Sequence, residues 1–150
     1  MQRIDNPVMA MPYRIGRLNL LPTGMHFWGK DMSAFLAEAM INPIRDVLRA
    51  PLEAGLCATF EVVGHDDFWV QVTRDAINMA YPLADDPHGR FATLAETPPC
   101  DGILAWEPME FVTFSYSSSD PAVVTDRVEA LFREIYACAG CSLVGRIESL

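Results

Sequence analysis

From Ala58 to Leu83 the chain alternates apolar and polar positions. Phe60 and Val62 interleave with Thr59, Glu61 and Val63 across Cys57–Gly64, the period-two pattern of a strand with one face inward. Gly64-His65-Asp66-Asp67 has turn chemistry, with Gly available for a positive φ and Asp for local hydrogen bonds. In the next stretch Phe68, Val70 and Val72 share one face, and Trp69, Gln71 and Thr73 the other. Arg74-Asp75 makes a second turn, Ile77, Met79 and Tyr81 alternate onward, and Pro82 closes the run. This pattern predicts a three-strand antiparallel meander.

The pattern on either side is helical. Phe35, Leu36, Ala39 and Met40 recur at helical spacing after Asp31 or Ser33, either of which can cap. Pro43 ends or kinks that helix, and Ile44, Val47 and Leu48 continue the stripe towards Pro51, giving one kinked helix or two short ones across residues 32–50. A second helix starts with Asp120 as cap and Pro121 at the first helical position. Its stripe is Val124, Val128, Leu131, Phe132 and Ile135, and Gly140 is its expected stop.

The remaining segments are less regular. Residues 1–30 read as an irregular N-terminal arm, although Tyr13–Leu20 has the alternation of an edge strand. Residues 84–101 are rich in turn formers, with Phe91–Leu94 open between a helical turn and a strand fragment. Ile103–Trp106 fits a brief strand, Glu110–Tyr116 alternates again, and Ser142–Ile147 is a candidate final strand. The expected fold is α+β, residues 31–150 forming a single domain. In it an antiparallel sheet, the meander plus one or two further strands, packs against an N-terminal and a C-terminal helix.

Composition narrows the function. At 150 residues, half of them hydrophobic, the chain can bury a core without staples. A net charge of −9 disfavours nucleic acid and anionic membrane as partners and suits a partner with a basic patch. No apolar run approaches the roughly 18 residues of a membrane span. The opening Met1–Pro7 lacks a basic then apolar leader, so a cytoplasmic protein with reduced thiols is expected.

Candidate chemistry is sparse. Cys138 and Cys141 have the spacing of a redox motif, but lie at the end of a helix, where the dipole raises a thiol pKa; packed thiols are expected. Cys57 and Cys100 form no second such pair, so no four-sulfur zinc site is expected. His65-Asp66-Asp67 and Asp85-Asp86-Pro87-His88 would offer metal or ligand groups if their loops met; as ordinary polar turns they need no metal. The common nucleophile, zincin and phosphate-loop motifs are missing, and neither a catalytic residue nor a cofactor is assigned.

The aromatics offer more. Trp69 lies on the strand face opposite Phe68, Val70 and Val72, and Trp106 directly precedes Glu107-Pro108. If helices cover one face of the sheet, Trp69 is left to anchor a partner or a dimer mate. The order helix, meander, irregular stretch, strand, capped helix resembles the type III secretion chaperone-like group (the TY-Chap and YbjN-type proteins). Phe68–Val72, Trp106, Phe111–Phe114 and the helix from Pro121 to Cys138 carry the likeness. That resemblance implies an acidic homodimer that binds a protein segment and has no catalytic residues.

The function expected is a non-catalytic protein-binding domain, with Trp69, Gln71 and Trp106 on the binding surface and Asp85 and Asp86 as acidic contacts. The alternatives are an antidote protein masking a basic toxin surface, and a small-ligand or metal-binding enzyme using the His and Asp loops.

Overall fold

A computed structural model describes residues 13–18, 32–93, 102–138 and 141–150. Seven strands among them form one sheet: β1 (Tyr13–Leu18), β2 (Leu56–Val62), β3 (His65–Val72), β4 (Ala76–Ala80), β5 (Gly102–Glu107), β6 (Phe111–Ser115) and β7 (Leu143–Ser149). Their order across the sheet is β1-β7-β2-β3-β4-β6-β5, every neighbouring pair antiparallel. The fold is α+β, as the pattern predicts, and β2-β3-β4 is the meander. Four further strands join it rather than one or two. The last of them, β7, inserts between β1 and β2, pairing with β2 from Leu56↔Ser149 to Val62↔Leu143. Short alternating segments at the two chain ends gain a place only through pairing, which their own sequence does not reveal.

The helices are α1 (Met32–Arg49), α2 (Pro87–Thr93) and α3 (Pro121–Ile135). One sheet face, made by Ala58, Phe60, Val62, Val70, Val72, Ile77, Met79, Val112 and Phe114, packs against Met40, Ile44 and Val47 of α1 and Val124, Val128, Leu131 and Phe132 of α3. Helix α2 adds Phe91, whose ring lies 5.4 Å from Phe114 and 6.4 Å from Tyr81. All three helices therefore lie on the same face. Helix α1 runs unbroken through Pro43. Burying Met40, Ile44 and Val47 contributes roughly 5–9 kcal/mol, more than the roughly 3 kcal/mol cost of an interior proline.

Caps and turns follow local chemistry. Asp120 caps α3, its carboxylate accepting from Ala122 N–H at 2.9 Å. The helix ends at Ile135 with Ala137 at φ 52°, earlier than the expected stop, and Gly140 lies outside the described residues. The β2–β3 turn is only Val63-Gly64, with Gly64 at φ 81°; His65 already pairs with Val62, so His65, Asp66 and Asp67 belong to β3 and not to the turn. Between Val62↔His65 and Glu61↔Trp69 the register jumps, and Asp66–Phe68 bulge out of the ladder.

Both terminal strands of the described sheet are bulged as well. β1 gains a residue against β7 between Ile15 and Leu18, and β5 gains Leu104 against β6. Bulges at sheet edges obstruct further strand pairing. Of the expected N-terminal arm, Tyr13–Leu18 is part of the sheet, and the rest lies outside the described residues. No described helix is long and apolar enough to cross a membrane.

Candidate functional site

The sheet face turned away from the helices is polar, and the residues at its centre are buried and hydrogen-bonded to one another. Cross-strand register aligns Arg146, Thr59, Gln71, Asn78 and Thr113 in one row across β7, β2, β3, β4 and β6. Each is below 9 % exposed. Thr113 donates to Asn78 at 2.8 Å, Asn78 to Gln71 at 3.4 Å, and Thr59 to Glu148 at 2.8 Å. Arg146 donates to Glu148 and to Glu61, both at 2.7 Å. These bonds, Glu61 first, hold the guanidinium charged well above its ordinary range. A buried carboxylate and guanidinium persist only as such a paired, hydrogen-bonded set.

Cys57 flanks this network, its sulfur 3.9 Å from the Thr59 hydroxyl. Burial pushes its thiol up to about 11, so it is a protonated core group and not a nucleophile at neutral pH.

The residues assigned to partner binding are separated by the fold. Gln71 is 8 % exposed and committed to Asn78. Trp69 stands beside Glu61 on the polar face and is half-buried. Trp106 pairs with Val112, which puts it on the opposite, helix-covered face, also half-buried. The two tryptophans do not share a surface.

Asp85 and Asp86 are exposed but locally engaged. Asp85 accepts two bonds from Arg90, at 2.8 and 3.1 Å, and one from the Tyr81 hydroxyl at 3.1 Å. The Arg90 guanidinium, foremost, holds its carboxyl below the ordinary 3.8. Asp86 accepts the His88 backbone N–H at 2.9 Å, which lowers its carboxyl too, and lies 2.7 Å from His88 Nδ1. Among the described residues, no three His, Cys, Asp or Glu side chains gather as a metal-binding group. Cys138 and Cys141 are joined as a disulfide, their Cα atoms 5.4 Å apart, where packed, reduced thiols are expected from the sequence.

Sequence reasoning missed the exposed large apolar side chains, among which Leu52, 63 % exposed, stands at the end of the sheet where Leu56 pairs with Ser149, and others stand at the opposite end. Val63 is 55 % exposed at the β2–β3 turn and Met109 62 % at the β5–β6 turn. Both turns lie at the same end of the sheet, where Val62 pairs with Leu143 and Glu107 with Phe111. Leu104, the bulged residue of β5, is 60 % exposed on the same hairpin as Met109. Asp66, Asp67, Glu107 and Glu110 are exposed around this rim.

Met109 is held in place. Its φ is 62°, a left-handed conformation that costs an L-residue about 1–2 kcal/mol. Its N–H donates to Leu83 O at 3.0 Å, Glu110 N–H to Glu107 O at 3.1 Å, and Tyr81 N–H to Glu110 O at 3.1 Å. These bonds fix the backbone of the turn, whose exposed apolar residue lies in sequence between Glu107 and Glu110. Glu107-Pro108 marks a turn in the sequence, but nothing there marks Met109 as its strained, projecting residue.

The chain matches no known family model, no curated protein and no solved structure.

Proposed function

We propose that this chain is a non-catalytic, acidic protein-binding domain, cytoplasmic and of the secretion-chaperone kind, that engages a segment of another protein at the rim bearing Met109. The observation carrying this reading is Met109 itself, exposed, apolar and fixed by a strained turn. Strain at an exposed position is retained where it presents a group for use. Glu107 and Glu110 on either side, with Asp66 and Asp67 on the same rim, favour a partner whose apolar anchor is flanked by basic residues. A homodimer of such domains would form through a surface other than the sheet edges, since bulges obstruct both.

The four rim carboxylates also favour a second reading, an antidote that masks a basic surface by charge alone. A photo-crosslinking residue tests both. Placed at position 109 or 104 it is expected to yield an adduct with a single protein, while the same residue at position 52, exposed at the opposite end of the sheet, yields none. Adducts equally strong from all three positions, or from none, would contradict docking at this rim. Adducts that persist after Leu104 and Met109 are made polar, and vanish when the carboxylates are neutralised, would favour the antidote.

A further inference from the structure

Cross-strand register sets a second row on the polar face, one step nearer the Met109 rim than the buried polar row. It runs Glu61, Trp69, Ala80, Phe111 and Glu107 across β2, β3, β4, β6 and β5. Glu61 pairs with Trp69, Ala80 with Phe111, and Phe111 with Glu107. The β3–β4 register, continued one residue past Val70↔Met79, sets Trp69 beside Ala80. The Tyr136 hydroxyl, 2.7 Å from Ala80 O and 2.8 Å from Trp69 O, spans the same two residues.

The row thus reads carboxylate, aromatic, small residue, aromatic, carboxylate. Ala80 is 6 % exposed, Trp69 and Phe111 are half-buried, and Glu107 is exposed. Neighbouring strands lie about 4.8 Å apart, so the two aromatics stand on backbones about 10 Å from each other with only a methyl group between them. A flat group stacked between two rings needs about 3.5–4 Å to each, about 7–8 Å in all. The slot has room for one such layer and not for two.

Charge decides which flat group fits. Aromatic faces attract a cation, and a carboxylate at each end of the row adds the same sign of field. Of the two long cationic side chains, arginine is the planar one; it stacks on rings and bonds a carboxylate through its edge, whereas lysine is a point charge. Glu61 is engaged with Arg146 at 2.7 Å, which leaves the edge-on contact to Glu107.

We propose that the slot over Ala80, walled by Trp69 and Phe111, receives an arginine side chain of the partner segment, its guanidinium stacked between the rings and donating to Glu107. The source of that arginine rests on the protein-binding reading of the adjoining rim. Glu107 and Met109 belong to one hairpin, so the partner carries its arginine beside its apolar anchor.

The test titrates the full-length, isotopically labelled chain with the amide of Nα-acetyl-arginine, following the Trp69 indole N–H and the Phe111 ring by NMR. The corresponding lysine and leucine compounds are run alongside. The expected result is a saturable shift at both residues with the arginine compound, weaker with lysine and missing with leucine. Glu107→Gln, at an exposed position, should weaken the arginine response about twofold to fivefold. Ala80→Leu, which fills the slot, should abolish it. No saturable shift at Trp69 and Phe111, an equal response to lysine or leucine, or undiminished affinity in Glu107→Gln overturns the proposal, as does undiminished affinity in a folded Ala80→Leu chain. A crosslinked adduct from position 109 with a silent slot overturns the slot alone. A responding slot with no adduct supports the slot and overturns only the rim as the docking place.

Discussion

Glu148 shows how much one residue decides here. It is 2 % exposed, yet it accepts from both Thr59 and Arg146, so its charge is balanced inside the sheet. Removing one member of a buried ion pair leaves the other unpaired and costs about 3–5 kcal/mol. Glu148→Ala is therefore expected to lower unfolding stability by about 3 kcal/mol in a urea titration; a loss within experimental error would show that the network carries no stability. The alternation of Thr59-Phe60-Glu61 and of Arg146-Ile147-Glu148 is plain in the sequence and places the polar members on one face. That these two strands are neighbours is not legible, because pairing between segments 85 residues apart depends on strand order, which local periodicity does not encode. The burial of this polar face is likewise not legible in the alternation, which only says that its residues share a side. The same blindness covers Met109, since a left-handed φ at a non-glycine residue has no compositional mark.

At the level of elements, long periodic stretches were readable and junctions were not. The stripes of α1 and α3 and the meander follow from apolar spacing, and Asp120-Pro121 marks the start of α3. Residues 84–101 show no period, and Phe91–Leu94 stays open between a helical turn and a strand fragment, because polar side-chain bonds and ring contacts organise the described part of this stretch. Arg90 and Tyr81 hold Asp85, Asp86 caps the first turn of α2, and Phe91 packs on Phe114. Both carboxyls titrate below the ordinary 3.8. A depressed folded pKa gives stability that is complete above the unfolded value and is lost as pH falls through the folded value. The α2 junction is thus expected to hold above pH 3.8 and loosen only below it, read from the Phe91 ring resonances by NMR. Asp86→Asn keeps the cap acceptor while removing one of the two titrations, so it should weaken this dependence. A midpoint at or above 3.8 would contradict the ion pair and the cap.

Among the described residues of the molecule, three helices cover one sheet face, the centre of the other is buried and hydrogen-bonded, and bulges obstruct both edges of the sheet. Among the described residues, exposed large apolar side chains stand at both ends of the sheet, Leu52 and Leu150 at one and Met109 and Val63 at the other, and it is the rim with Met109 and Val63 that carries the cluster of carboxylates. Substituting Met109 by glycine separates binding from folding, because glycine accepts the left-handed turn and lacks the side chain. The direct measurement compares Met109→Gly with the natural chain in two respects, thermal stability and the proteins each retains from its host extract. The expected result is a melting temperature equal or higher, by the equivalent of about 0.5–1 kcal/mol, together with loss of one stoichiometric, basic protein that the natural chain retains. If both chains retain the same proteins, or neither retains any, Met109 is not a docking residue and the protein-binding reading of this rim fails.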